Sequence, residues 1–313
     1  MARAHDKYQR LIDFCKTLQP TPTAVAHPCD ESSLKGAVDA AQMGLITPIL
    51  VGPRARIEGV AKECNLRIAG FEFVDTAHSH ESAARAVEVV RAGKAEALMK
   101  GSLHTDELMA EVVKRDTGLR TERRVSHCFV FDVPTYAETL IVTDAAVNIA
   151  PTLEDKIDIV QNAIDLAHAL RFAEVRVAIL SAMETVNPKV PSTIEAAALC
   201  KMADRKQIVG AILDGPLALD NAISLESVAI KKIDSPVAGR ANVLVVPDLD
   251  AGNMLAKSLS FLAQADAAGI VLGARVPIIL TSRADSLTTR LASCAVADLV
   301  AQARREKSTK AVA

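Results

Sequence analysis

The stretch TAVAHP, residues 23–28, followed at once by DESSLKGAVDAAQMGL, residues 30–45, decides the fold. A short apolar run with β-branched residues leads into an amphipathic pattern, so a strand is expected to feed a helix, with Asp30 placed to cap that helix and Gly44 to end it. The same couple recurs three times. ITPILVG precedes a helix from about Arg54 to Cys64, FEFVDT one from about Ser79 to Arg91, and ALMKG one from about Thr105 to Lys114. Four strand–helix units in a row predict a mostly parallel sheet.

VSHCFVFDVP and TLIVTD come next, too close together for a crossover helix, so they are read as antiparallel neighbours or as a bridge between domains. A second series opens at PTLEDKIDIVQNAIDLAHAL, where Thr152 and Asp155 make a capping start and Ile157, Val160, Ile164 and Ala167 share one face. VRVAILS, IVGAILDGP, NVLVVPD and AGIVLG continue it. PIILTS and a final helix from Leu287 to about Arg304 then return to the first series. The expectation is an α/β protein of two domains with mostly parallel sheets: residues 1–136 with 277–313 in the first, residues 137–276 in the second.

Composition narrows the function. Half of the 313 residues are hydrophobic but only 3% are aromatic, which leaves little for stacking bases. Lys and Arg number 36 against 38 Asp and Glu without long runs of one sign, so neither nucleic acid nor an acidic membrane is implied and the partner is expected to be a small molecule. Charges throughout MARAHDKYQRLIDFCK, with no apolar stretch of membrane-spanning length, lead to an expectation of cytoplasmic residence. Six scattered cysteines lack C-x-x-C spacing and read as reduced core thiols. The pair His78 and His80 has no acidic or cysteine partner in register, so it is read as a loop entering a helix and no metal is assigned.

Ligands of open α/β sheets bind beyond the carboxyl ends of strands, where helix N-termini present N–H groups. Four polar corners stand there: Lys100, Gly101 and Ser102 with His104 and Thr105; Asp214, Gly215 and Pro216; Pro247 and Asp248 with Gly252 and Asn253; and Thr281, Ser282 and Arg283 with Asp285. Each also reads as a plain turn, with Asp250 capping one helix and Asp285 or Ser286 another. The hydroxyls and guanidinium of the last corner would make a phosphate-sized anion site, and Lys100 would add a second cation if the two corners face one cleft. No G-x-G-x-x-G after a strand, P-loop, H-E-x-x-H or G-x-S-x-G occurs.

In order along the chain, KGSLHT (100–105), DGPLALDNAI (214–223), SPVAGRANVLVVPDLDAGNMLAKSL (235–259) and GARVPIILTSRADS (273–286) resemble the phosphate acetyltransferase and phosphate butyryltransferase family. The resemblance spans roughly residues 97–300. It implies a fold related to isocitrate and isopropylmalate dehydrogenases, an active site in the cleft, a homodimer or larger assembly, and the reversible reaction of acyl-CoA with phosphate to give acyl phosphate and CoA. CoA is then a substrate and no permanent cofactor is expected.

Carried over by motif, Ser282 and Arg283 fall on the family's Ser-Arg pair, where phosphate and the thioester carbonyl are handled. Acetyl-specific members carry an aspartate several residues later, where this chain has Thr288 and Thr289; the base is then either Asp285 or none, phosphate being already an anion. The wording ILTSRADS leans toward the butyryl branch. Two other classes stand beside this reading. One is an NAD-dependent decarboxylating dehydrogenase using Asp214, Asp248 and Asp250 for a divalent metal; the other is a sensor of acyl-CoA or phosphate without catalysis.

Overall fold

The computed structural model describes residues 7–281 and 285–312. Helix α1 (Lys7–Cys15) leads into β1 (Thr21–Ala26), α2 (Glu31–Gln42), β2 (Ile46–Gly52), α3 (Arg54–Glu63), β3 (Glu72–Asp75), α4 (Ser79–Arg91), β4 (Ala97–Lys100) and α5 (Thr105–Val112). Then come β5 (Ser126–Asp132), β6 (Leu140–Thr143), α6 (Leu153–Ala169), β7 (Arg176–Leu180), α7 (Pro191–Asp204), β8 (Ile212–Leu217), α8 (Leu219–Ile223), α9 (Leu225–Lys231), β9 (Val243–Val245) and α10 (Leu249–Phe261). The chain finishes with β10 (Asp266–Leu272), β11 (Ile278–Ile279) and α11 (Leu287–Val312).

It divides into two compact units, one of residues 7–123 with 268–312, the other of Arg124–Ala267. In the first unit the strand order is β3-β2-β1-β4-β11-β10, parallel from β3 through β11, with β10 antiparallel to β11. Helices α2, α3 and α4 connect the strands of this parallel sheet and pack on it, so the central strands β1, β2, β4 and β11 are covered and read as nearly continuous apolar runs. Ala24, Val25, Leu50, Val51, Leu98, Met99, Ile278 and Ile279 are accordingly buried. The late helix α11 packs against α1, α2 and β11.

The second unit orders its strands β5-β6-β9-β7-β8. Strands β5 and β6 pair antiparallel, as their short connection requires, and the others pair parallel. Its core gathers Phe131, Leu140, Val142, Leu180, Leu217 and Leu244. Local chemistry starts the helices where the sequence places them. Asp30 accepts from the Ser33 amide at 2.8 Å to open α2, and Thr152 with Asp155 forms a reciprocal capping box on α6. His78 caps α4 by accepting from the Glu81 amide.

One buried acid sits in the first unit far from any strand's carboxyl end. Asp298 on α11 is fully buried; Thr21 donates to its Oδ1 at 2.5 Å, and among the described residues nothing pairs its Oδ2. Burial pushes this carboxyl up to about 6, against the Thr21 hydrogen bond and the charge of Arg305, with Glu96 adding to the rise. The folded chain therefore holds the proton more tightly than the unfolded chain, where an aspartate titrates near ~3.9. Folding pays for the ionised form above about pH 6, and stability is regained as pH falls toward ~4. The melting temperature is expected to rise between pH 8 and pH 5 by the equivalent of about 1 kcal/mol from this group, and Asp298→Asn to flatten that slope; thermal melts of both chains across the range check it.

Candidate active site

The first-unit residues lie where strands β1, β4 and β11 end side by side. Lys100 closes β4 and is only 7% exposed; its Nζ donates to the carbonyls of Gly101 at 3.3 Å and Leu103 at 3.2 Å. Gly101 passes so near the end of β1 that a β-carbon there would stand 2.5 Å from the His27 carbonyl oxygen. Ser102 turns the chain back, donating to that same carbonyl from both its amide at 2.9 Å and its hydroxyl at 2.8 Å. His104 and Thr105 are exposed at the start of α5, which opens without a side-chain cap.

Thr281 is buried just past β11. The parallel register Ile278 to Leu98 and Ile279 to Met99, continued two residues, sets it beside the Lys100–Gly101 turn. Ser282 and Arg283 lie outside the described residues. Asp285 lines a cavity of about 290 Å³ with Glu31, Ser32, Lys35, Leu287 and Arg290. Ser286 caps α11 by accepting from the Thr289 amide at 3.1 Å, and the Arg290 guanidinium donates to the Ser32 carbonyl of α2.

In the second unit Asp214, Gly215 and Pro216 fall inside β8 rather than beyond it. Asp214 accepts from the Gly215 amide at 2.9 Å, and a β-carbon on Gly215 would stand 2.7 Å from the Ile179 carbonyl oxygen. Asp248, not Asp250, caps α10 by accepting from the Ala251 amide at 2.9 Å. Gly252 and Asn253 converge on one turn: a β-carbon on Gly252 would sit 2.6 Å from the Asp144 carbonyl oxygen, and Asn253 donates to the Ala145 carbonyl at 3.3 Å.

That turn holds polar residues the sequence reading passed over. Asp144 is buried and accepts from the amides of Ala146, Val147 and Asn148, and from the Asn148 side chain at 2.5 Å. His127 is also buried, and burial pushes it down to about 4 while Asp144 pulls the other way, so it stays neutral. The signal was Asp144 directly after the strand LIVT, which ends at Thr143. In the first unit the overlooked residue is His27, the residue after β1.

The thiols of Cys128, Cys200 and Cys294 are pushed by burial up to about 12. They remain protonated and unsuited to nucleophilic attack. The close approaches predict that Gly101→Ala and Gly252→Ala each distort their turn, lower the melting temperature and cut turnover at least tenfold, whereas Gly59→Ala, on open helix surface, leaves both near the parent value. Thermal melts alongside steady-state rates check this.

Residues 79–297 match the profile of the family described as phosphate acetyl/butaryl transferase, more than half of the chain. A phosphate acetyltransferase of Rhizobium meliloti is 65% identical over 98% of this chain and 97% of its own. A phosphate butyryltransferase of Clostridium acetobutylicum is 39% identical over 94% of this chain and 98% of its own. The crystal structure of a branched-chain phosphotransacylase from Enterococcus faecalis V583 superposes with a TM-score of 0.79 at 32% identity, covering 90% of this chain and 99% of that one. With its two α/β units and the four ordered motifs in place, the chain belongs to the phosphate acetyl/butyryl transferase family and is an acyltransferase.

Proposed function

We infer that the chain moves an acyl group reversibly between CoA and inorganic phosphate, with CoA as substrate rather than resident cofactor. The observation that carries this reading is the Lys100–Ser102 corner. A largely buried lysine closes a central strand, a glycine turn with no space for a side chain follows, and α5 then opens without a side-chain cap. Backbone amides and a fixed cation at such a place suit a phosphate. Thr281, beside this corner by strand register, precedes Ser282 and Arg283 in sequence.

The chemistry is a direct displacement. A phosphate oxygen forms a bond to the thioester carbonyl carbon, the carbon–sulfur bond breaks with its electron pair on sulfur, and the thiolate takes a proton to leave as CoA. Two anionic reactants must meet, so Arg283 and Lys100 hold phosphate, and Ser282 donates to the oxyanion of the tetrahedral intermediate. Asp285, in its cavity beside Lys35 and Arg290, is the carboxylate nearest in sequence to serve as base.

Acetyl is the acyl group favoured by the 65% identity to the Rhizobium meliloti acetyltransferase. The motif ILTSRADS favours butyryl, and it makes that the second reading. Thioester formation from CoA with acetyl phosphate and with butyryl phosphate, measured side by side, decides between them; absence of thioester with both would refute acyl transfer. Arg283→Ala is expected to raise the phosphate KM and slow turnover by about 100-fold to 1000-fold, while near-parental rates at limiting phosphate would remove Arg283 from the site.

A further inference from the structure

Six non-glycine residues among those described have a positive φ: His27, Asn65, Arg171, Lys206, Lys232 and Gln264. Five of them come within three residues after the end of a helix, namely α3, α6, α7, α9 and α10, where a left-handed residue commonly closes the last turn. His27, at φ 56°, follows a strand instead. A residue with a β-carbon keeps such a conformation only where its surroundings fix it, and such positions gather at functional sites.

Two sets of contacts fix this one. On the side-chain face, Nδ1 lies 2.9 Å from the Ser82 hydroxyl, which donates to the His78 carbonyl at 2.9 Å and lies 2.8 Å from the Thr76 hydroxyl. The Ser82 hydroxyl thus ties the imidazole to the start of α4 and to Thr76 in one buried hydrogen-bonded cluster. On the backbone face, the His27 carbonyl accepts from the Cys29 amide at 2.8 Å and from both the amide and the hydroxyl of Ser102. An extended residue 27 would turn this carbonyl away and release both Ser102 donors. The Lys100 ammonium bonds the carbonyls of the same turn, so its position follows the turn's.

We propose that His27 is a positioning residue for acyl transfer: its ring, anchored on Ser82, holds the left-handed backbone whose carbonyl shapes the turn carrying Lys100. The inference rests on the reading of that turn as part of the phosphate site. His27 itself touches no reacting atom.

The test uses the full chain and the acyl phosphate and CoA assay with four variants: His27→Ala, His27→Gly, His27→Asn and Ser82→Ala. Glycine and asparagine accept a left-handed backbone and alanine resists it. His27→Ala and Ser82→Ala are expected to raise the KM for acyl phosphate about tenfold to 100-fold, the scale of a small misplacement, with the KM for CoA within about twofold of the parent. His27→Gly and His27→Asn recover most of that loss. Should His27→Ala fail to fold, Ser82→Ala and the glycine variant carry the comparison.

Equal KM values for His27→Ala and His27→Gly, or equal losses toward both substrates that track the melting temperature, would overturn the positioning role. An inactive parent chain sinks the acyl-transfer reading itself; an active parent with an unaffected His27→Ala sinks only this proposal.

Discussion

The end of β4 and the end of β1 approach until only a hydrogen atom fits between them at residue 101. That contact is a consequence of parallel pairing. β1 and β4 run side by side with Ala26 opposite Lys100, so the two chains leave the sheet together and their first loop residues must share the space above it. One carbonyl, that of His27, then takes up three donors. Buried backbone groups in a dry corner are costly to leave unpaired, and this sharing satisfies them while leaving the lysine fixed by its own turn.

The second unit solves a similar problem with different residues. Gly252 lets α10 lie against the Asp144–Ala145 backbone, and the Asp144 carboxylate collects a row of amides from the turn it begins. In both units a glycine without room for a methyl group marks where a helix or strand end meets the chain leaving another strand. Such contacts leave the backbone at each turn little room to shift.

Much of this was legible in the sequence, for physical reasons that differ by element. Strand–helix alternation and the caps at Asp30 and Thr152 are local signals, carried by residues a few positions apart, and the structure realises them. Asp248 and Asp250 compete for one cap within three residues, and the choice went to the residue whose extended backbone could reach the Ala251 amide. Asp214 looked like a corner because Gly and Pro follow it, yet the strand runs on through Leu217. His27 escaped notice because its unusual backbone is set by Ser82 and Ser102, residues 55 and 75 positions away, and no local pattern announces such a partner.

The strand order carries a consequence for biosynthesis. β4 sits between β1 and β11, and β11 is formed by residues close to the C-terminal end of the sequence. While the ribosome is still translating the intervening 177 codons, β4 has one side of its backbone without its eventual neighbour. The unit of Arg124–Ala267, by contrast, is continuous in sequence and can complete its own sheet as it emerges. Until β11 is made, β4 keeps an apolar backbone edge unpaired, and this unit closes its sheet only after the other unit has been synthesised.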